Sequence, residues 1–328
     1  MQGDHGQLHF TFVNGARLPL FYAKCRIALD GAVEIGEEDA ENGTKFTADF
    51  SLGPLEKITM TMPMIAKKRG IAKIRTLEVT IKDPFNLISA NLFFNQLVKK
   101  EVIVHPRPLA IRGLTNMMLA VEGKLPMAGS IYNDHTALMG TRNYSFNDPF
   151  RYIHWKASAR TGQLQTKLFE KVIGMTWTII LLIEPNYNYM AKEDLERQLS
   201  IAAFMIQFAE NRGMTYNVFV NIKIKGSGET VSIPVDSGIQ QLIKAWDLLA
   251  FINLGQIRTK VNLAMNEIDK AMIDKRVIMM FYMGNDHDKN HLFYRKWSKR
   301  GHVIYKVNSI EGSPVLAPLY GRGEAVAK

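Results

Sequence analysis

The sequence lacks the features that define several large classes of protein. Cys25 is its single cysteine, so no disulfide can form within the chain and an oxidising compartment is not required. Its longest wholly apolar stretches, such as 179–183, are far shorter than the roughly 20 residues that cross a bilayer. The polar start, residues 1–5, has no apolar centre of the kind found in a signal peptide. We therefore expect a chain without a secretion signal, a transmembrane helix or a disulfide framework.

What the sequence does contain is typical of a folded protein with two domains. Of its 328 residues, 47% are apolar and 22% are charged. A single hydrophobic core rarely grows beyond about 250–300 residues, which favours two domains. The formal net charge of +10 would help the chain approach acidic partners, nucleic acid or an anionic membrane, but it selects none of them.

Residues 1–110 show the alternation of apolar and polar residues that is typical of β-strands. The alternation is cleanest over 46–52. The same period of two recurs at 8–12, 21–29, 58–64, 77–81 and 102–104. Short alternating strands without a convincing helix between them predict an antiparallel β-sandwich.

Two features of this first domain have both a structural and a functional interpretation. Met60, Met62 and Met64 could form an adaptable docking face, but their alternation with polar neighbours favours a place in the core. Cys25 lies on the inward row that runs from Phe21 to Leu29. We therefore interpret Cys25 as a small buried hydrophobe and not as a nucleophile.

Residues 167–328 alternate strands with helices. The continuous apolar run 177–183 is expected of a strand buried on both faces of a largely parallel sheet. Further strands are predicted at 216–220, 230–233, 277–282 and 302–306, the second pairing with the first as an edge hairpin. Apolar stripes predict helices at 195–206, 239–250 and 261–272, and another that opens at Asp286 or Asp288 and ends at Gly301. Asp236 or Ser237 is expected to cap the helix at 239–250.

This alternation predicts right-handed crossovers with helices on both faces of the sheet, that is, a doubly wound α/β domain. Ligands in such sheets gather beyond the carboxyl ends of the strands. The segments after Ile183, Val220 and Met283 are therefore the places where a site is expected.

The connecting segment, residues 111–166, carries the most distinctive motif of the chain. The motif consists of Arg142, Tyr144, Asp148, Arg151, Ile153, His154, Trp155, Lys156, Ser158, Ala159 and Arg160. It resembles the signature of the domain-of-unknown-function 58 family, whose members read Arg-x-Tyr, Gly-Asp and Arg-x-Ile-His-Trp-Lys-x-Ser-Ala-Arg. Asn147 stands where the family has glycine. Residues 68–70, 82–87 and 14–19 are similar to further elements of that family.

The resemblance implies a two-domain α+β chain, in which an N-terminal antiparallel β-sandwich precedes a doubly wound α/β domain of the von Willebrand factor A-like type. It also implies an anchor of two transmembrane helices ahead of the sandwich, absent from this sequence, and partnership with a MoxR-type AAA+ ATPase. The family has no established catalytic residues to assign here. We accordingly predict a non-catalytic protein-interaction adaptor at the cytosolic face of a membrane, with no cofactor and no nucleic-acid partner.

The signature motif itself allows two interpretations. Its basic residues around Asp148 could form a surface that docks an acidic partner or a phosphate. Alternatively, it could join the two domains, with Asp148 paired to an arginine and with Ile153 and Trp155 buried. We favour the second interpretation, because the alternation over 151–156 predicts a strand that packs on another element. The residues assigned to this motif are Arg142, Tyr144, Asp148, Arg151, His154, Trp155, Lys156 and Arg160.

A divalent metal site is the main alternative function. In von Willebrand factor A domains an ion sits on an Asp-x-Ser-x-Ser loop after the first strand, and here the corresponding residues are Glu184, Asn186 and Asn188. Their oxygens can bind Mg²⁺ or Ca²⁺, but glutamate is longer than aspartate and asparagine has no hydroxyl. Ser237 and Asp286 are weak stand-ins for the ligands expected from the second and third loops. We therefore favour a degenerate loop.

Two histidine-based sites are also considered. An enzyme could use His154 and Asp148, yet no serine or cysteine nucleophile lies beside them in a known motif. His287 and His291 have a spacing that suits zinc on a helix face, but their surroundings predict a solvent-exposed helix. Neither pattern changes the prediction of an adaptor.

Overall fold

The computed structural model describes most of the chain. The described residues are 1–35, 45–94, 101–115, 117–118, 133–145, 150–171, 176–184, 192–223, 230–283, 291–310 and 313–319. Within them, strands predominate and fall into several sheets, accompanied by five α-helices. The prediction of a mixed α/β chain is confirmed at this level. None of these helices combines the length and the apolar character that a membrane span needs.

The N-terminal part contains two sheets of antiparallel strands. One has the order β1-β5-β3; the other has the order β4-β2-β6-β7, with β8 paired to the first half of β6. The strands are β1 (His5–Val13), β2 (Leu20–Leu29), β3 (Val33–Ile35), β4 (Lys45–Leu52), β5 (Lys57–Ala66), β6 (Gly70–Lys82), β7 (Ser89–Phe93) and β8 (Glu101–Val104). The predicted strand segments are therefore confirmed.

One hydrophobic cluster draws side chains from both of these sheets. Cys25 and Ile27 of β2 meet Met62 of β5, and all three are buried. The prediction that Cys25 is buried is confirmed, and burial raises the pKa of its thiol to about 11. Phe21 was expected on the same inward row, but it is 59% exposed, so the prediction for this residue is wrong. The register between β2 and β4 shifts between Leu20 and Ala23, and this irregularity interrupts the alternation at Phe21.

A hairpin and a short helix follow. The strands β9 (Asn133–Asn143) and β10 (Gln165–Lys171) pair antiparallel and form a two-stranded sheet. Between them lie a 3₁₀ turn at Phe150–Tyr152 and the helix α1 (Trp155–Thr161). The signature motif therefore occupies the hairpin and the helix that the hairpin encloses.

The C-terminal part is built on a six-stranded sheet. Its order is β13-β12-β11-β14-β15-β16, with β12, β11, β14 and β15 parallel and an antiparallel strand at each edge. The strands are β11 (Trp177–Ile183), β12 (Tyr216–Lys223), β13 (Thr230–Asp236), β14 (Val277–Met283), β15 (Val303–Ile310) and β16 (Ser313–Pro318). The helices are α2 (Lys192–Asn211), α3 (Ile239–Phe251), α4 (Val261–Ala271) and α5 (His291–Lys299).

Successive residues of β11 point to opposite faces of this sheet, and both faces are covered. Ile179 and Leu181 belong to the cluster that contains the apolar faces of α2 and α3. Ile180 and Leu182 belong to the cluster that contains those of α4 and α5. Every residue of β11 is buried, as the continuous apolar run predicts. From β11 the chain adds β12 and β13 on one side of the sheet and then β14, β15 and β16 on the other side. The strand order therefore reverses between β11 and β14.

The predicted cap of α3 is wrong. Its N-cap is Gly238, whose φ of 100° is a conformation that glycine adopts readily, and no side chain caps the helix. The Asp236 carboxylate instead accepts the amide N–H of Ser237. The Gly238 N–H donates to Glu210 Oε2 of α2 at 2.9 Å. The start of α3 is thus bonded by the carboxylate of Glu210, which is remote in sequence, and not by Asp236 or Ser237 as expected.

Candidate functional site

The signature motif is held together by hydrogen bonds to the β9–β10 hairpin. The Tyr144 N–H donates to the Leu164 carbonyl at 2.8 Å, and the His154 N–H donates to the Gln165 carbonyl at 2.7 Å. Ile153 is buried and forms an isolated bridge with Thr166. The predicted strand at 151–156 is therefore wrong beyond that single bridge.

His154 ends the extended segment and begins α1. Its Nδ1 accepts the N–H of Ala157 at 3.1 Å, so the imidazole acts as the N-cap of the helix. Its carbonyl accepts both the N–H and the hydroxyl of Ser158. The Ser158 hydroxyl in turn accepts the Gln165 N–H at 2.8 Å. The side chains of His154 and Ser158 thus form hydrogen bonds with backbone groups and not with each other.

The helix α1 displays an aromatic ring and two cations. Trp155 is 65% exposed, and Lys156 and Arg160 are exposed as well. The expected burial of Trp155 is wrong, because the cap at His154 turns the chain into a helix before the alternation of a strand can carry the indole inward. Phe150, 71% exposed, lies 6.0 Å from the ring of Tyr144, measured between centroids. We refer to Trp155, Lys156 and Arg160 as the α1 surface.

Three members of the motif contribute less to this geometry. Arg142 is exposed, and its guanidinium donates to the Asn143 carbonyl at 3.1 Å. Asp148 lies outside the described residues, and only the backbone of Arg151 is described. The expected pairing of Asp148 with an arginine therefore stays a prediction.

Arg69 joins the N-terminal sheets to the C-terminal part. The sequence had predicted a junction of this kind for the signature motif. Its side chain is 4% exposed and forms a two-pronged pair with Glu196 of α2, at 2.7 and 2.9 Å. Its Nη1 also donates to the carbonyls of Leu249, Ala250 and Ile252 at the carboxyl end of α3. A cation at this end satisfies carbonyls that the helix leaves unpaired and complements the helix dipole. The sequence signal was the Arg-Gly element at 69–70.

A second contact lies beside the first. His105, just after β8, bonds Asp247 of α3 through Nε2 at 2.7 Å, and its ring lies 5.7 Å from that of Trp246. The Leu109 N–H donates to the Ser200 carbonyl of α2 at 2.9 Å. Both contacts fall on the same two helices as Arg69, so α2 and α3 receive the N-terminal part.

The carboxyl end of β11 is where a metal loop was considered. Glu184 accepts a hydrogen bond from the Tyr282 hydroxyl, and its backbone carbonyl accepts Arg258 Nη1 at 2.6 Å. Burial lowers the pKa of the Arg258 guanidinium, which nevertheless remains a cation at neutral pH. Asn186, Asn188 and Asp286 lie outside the described residues.

Ser237 does not reach this place. It follows Asp236, which pairs with Tyr216 at the first residue of β12, and so lies at the amino-terminal edge of the parallel strands. Thr259 is the residue that sequence reasoning missed. Its N–H donates to the Asn221 carbonyl, while the Asn221 amide bonds the backbone of Ile183 at the end of β11. The buried Thr259 hydroxyl has no hydrogen-bond partner among the described residues.

A divalent cation fits the described residues of this edge poorly. The Glu184 carboxylate accepts a hydrogen bond from the Tyr282 phenol, and the Arg258 guanidinium, bonded to the Glu184 backbone carbonyl, brings a positive charge to this edge. Among the described residues of this edge, the buried Thr259 hydroxyl is an oxygen without a hydrogen-bond partner. Across the described residues no group of three or more histidine, cysteine, aspartate or glutamate side chains is placed to hold a metal ion.

Comparison with known proteins adds little. No family model and no curated protein matches the sequence. Among solved structures, a PapD-like domain of human CEP192 (PapD-like domain 7) aligns with 28% of this chain and 69% of its own length. The identity is 13% and the TM-score is 0.19, a value too low to support an argument about fold or function.

Proposed function

We propose that this chain is a non-catalytic adaptor that binds a protein partner through the α1 surface. The observation that carries the proposal is the 65% exposure of Trp155 beside two cations on a capped helix. Tryptophan and arginine are enriched at the energetic centres of protein interfaces, where their side chains fill well-packed pockets from which water is excluded. Lys156 and Arg160 are four residues apart on the helix, so they share a face and favour an acidic partner.

The proposed partner is a AAA+ ATPase of the MoxR type, at the cytosolic face of a membrane reached through an anchor. This part of the proposal rests on the resemblance of the signature motif. The finer fold proposed with it is a β-sandwich followed by a von Willebrand factor A-like domain. Two sheets sharing one core support the former, and helices on both faces of a largely parallel sheet support the latter.

The hydrogen bonds of His154 and Ser158 argue against an acyl-transfer enzyme. A serine nucleophile needs its hydroxyl bonded to the base that activates it. Here the hydroxyl bonds the His154 carbonyl and the Gln165 N–H instead, and the imidazole Nδ1 caps the helix. Both groups contribute to the shape of the α1 surface.

A second candidate is a metal-dependent binding module at the carboxyl edge of the sheet. The unpartnered Thr259 hydroxyl favours it, since a buried hydroxyl without a hydrogen bond is costly unless something else binds it. The neighbouring Arg258 opposes it, because a guanidinium and a divalent cation repel each other.

The test is capture of the ATPase from lysate of the source cells, with the chain as bait, in Mg²⁺ and again in EDTA. The adaptor proposal predicts that the wild-type chain and the exposed-site controls Leu292→Ala and Lys299→Glu retain the ATPase under both conditions. Trp155→Ala and the double variant Lys156→Glu, Arg160→Glu should lose it.

Two results would redirect the proposal. Retention of the ATPase by the α1-surface variants would remove that surface from the binding mechanism. Recovery only in Mg²⁺, abolished by Thr259→Val, would support the metal-dependent module instead.

A further inference from the structure

Three loops of the N-terminal part meet at one end of the strands. These distal loops are 14–19 between β1 and β2, 53–56 between β4 and β5, and 83–88 between β6 and β7. The strand registers place them together: Val13 pairs with Lys57, Leu20 with Leu52, and Lys82 with both Tyr22 and Ser89. Arg69 and His105, which contact α2 and α3, follow β5 and β8 at the opposite end of the same strands. The distal loops therefore lie away from the C-terminal part.

The distal loops expose large apolar side chains at their tips. Leu18 is 75% exposed, Leu55 66%, Phe85 81%, Leu87 82% and Ile88 74%. Single exposed apolar residues are ordinary on a protein surface, but a group drawn from three neighbouring loops marks a surface that another phase or molecule covers. Because these side chains protrude from loop tips, they suit a soft, extended apolar medium better than a ligand that needs a concave pocket.

The backbone holds the tips in place. The buried Asn14 donates to the carbonyls of Leu18 and Gly53, both at 2.8 Å, and accepts the Ala16 N–H, so one side chain ties two loops together. The Asp83 carboxylate accepts the N–H of Ile88 at 2.6 Å and that of Phe85 at 3.1 Å, closing the third loop. The apolar tips are therefore presented in a fixed conformation, which lowers the entropic cost of burying them.

The charges around the tips are arranged asymmetrically. The two carboxylates of these loops are turned to backbone amides: Asp83 as described, and Glu56 to the Gly53 N–H. The cations Arg17 and Lys57 are exposed and, among the described residues, form no ion pair. Lys82 lies over the Tyr22 ring, in a shallow depression of about 310 Å³ at the base of the 83–88 loop. Cations at this level flank the apolar tips where lipid phosphates lie beside acyl chains.

From these features we propose that the distal loops insert into the surface of an anionic lipid bilayer. Phe85, Leu87, Ile88, Leu18 and Leu55 enter the acyl boundary, and Arg17, Lys57 and Lys82 meet the headgroup phosphates. The inference goes beyond the adaptor proposal and rests on different residues. It orients the distal loops toward the membrane and places α2 and α3, together with Met1, at the opposite end of the strands.

The experiment is co-sedimentation with vesicles of mixed phosphatidylcholine and phosphatidylserine, and with pure phosphatidylcholine vesicles. The double variant Phe85→Ser, Leu87→Ser should partition about tenfold or more weakly than wild type on both, since two large side chains no longer enter the apolar layer. The matched control is Leu263→Ser, Leu292→Ser, which removes two exposed leucines from α4 and α5 and should bind as wild type does. Arg17→Glu, Lys57→Glu should weaken binding to the anionic vesicles only.

Unfolding of every variant is measured by circular dichroism, and equal unfolding curves establish that the proteins compared are folded. Failure of the wild-type chain to sediment with anionic vesicles would overturn the inference, and so would undiminished binding by the Phe85→Ser, Leu87→Ser variant. Loss of ATPase capture by that variant, without vesicle binding by wild type, would assign the loops to a protein partner instead. Because the vesicles contain no protein, failure here leaves the α1 surface untouched, and failure of ATPase capture leaves the membrane inference untouched.

Discussion

At the scale of single residues, Arg69 of the N-terminal part makes five hydrogen bonds to the C-terminal part. One buried guanidinium bonds both oxygens of Glu196 and three carbonyls at and just beyond the carboxyl end of α3. Removing the buried guanidinium leaves the carbonyls at the end of α3 and the half-buried Glu196 carboxylate without their partner. Lysine cannot replace arginine here, since a single ammonium cannot reproduce the planar fork.

We predict that Arg69→Ala lowers the free energy of unfolding by about 2–4 kcal/mol, and that Arg69→Lys recovers only part of it. Urea unfolding followed by circular dichroism measures the change. The control is Lys67→Ala, two residues away, whose ion pair with Glu34 is 44% exposed on each side and should contribute less than about 1 kcal/mol. An Arg69→Ala protein as stable as the Lys67→Ala protein would contradict this account of the junction.

His302 supplies a pH dependence. Burial lowers its pKa below the ordinary value, the cations Arg276 and Arg300 lower it further, and Asp269 opposes them. Below about pH 6.5 the imidazole of His302 therefore binds a proton in the unfolded chain, whereas in the folded chain it binds the proton only at lower pH. Stability is complete above that pH and declines as the pH falls toward the lowered pKa of the folded state.

We predict that His302→Asn removes this part of the acid-induced loss of stability. The asparagine oxygen can still accept the Arg276 N–H, which the imidazole Nδ1 accepts at 3.2 Å in the native chain. The free energy of unfolding is compared at about pH 7.5 and about pH 5 for both proteins. An equal decline in the two proteins would show that His302 does not cause it.

At the scale of elements, α1 depends on its cap. The helix has seven residues, too few to be stable through its own hydrogen bonds, so the bond from the Ala157 N–H to His154 contributes to its formation. We predict that His154→Ala lowers the free energy of unfolding by about 1 kcal/mol and that His154→Asn, a good capping residue, restores most of it. Urea unfolding of the two variants makes the comparison. If His154→Asn were as destabilised as His154→Ala, the cap would not be the role of this side chain.

The elements show how far sequence patterns reach. The unbroken apolar run of β11 and the stripes of α2, α3 and α4 predicted those elements, because burial on a defined face leaves a periodic trace. The cap of α3 left no such trace: Gly238 is bonded by Glu210, which is remote in sequence. The strand predicted across His154 is wrong for a similar reason. Alternation over six residues does not reveal that the His154 side chain caps α1 within that segment.

At the scale of the whole molecule, the sequence predicted the order of strands and helices better than it predicted which side chains face solvent. Trp155 of the signature motif was expected inside and lies outside. A role in joining the two parts stays a prediction for that motif, whereas Arg69 contacts Glu196 across 127 residues of chain. Which side of an element faces solvent after two parts of a chain pack together is a tertiary property, and periodicity within one element does not encode it.

Exposure in the distal loops was likewise not predicted. Residues 82–87 resemble an element of the family, whereas the exposure of Phe85 and Leu87 follows from the Asp83 hydrogen bonds that close the loop. The chain thus presents two exposed surfaces built from different residues, the α1 surface with its tryptophan and cations and the apolar distal loops. An adaptor that contacts a membrane and also holds a protein needs two such surfaces.

The most direct test of the adaptor account is equilibrium binding between the purified chain and a purified MoxR-type AAA+ ATPase from the same source, measured by isothermal titration calorimetry. We predict saturable binding that is unchanged by EDTA and weakened about 30-fold by Trp155→Ala, as for an aromatic residue at the centre of an interface. The exposed-site control Leu292→Ala should bind as wild type does. Absence of binding by the wild-type chain, or equal affinity of the Trp155→Ala chain, would contradict the account.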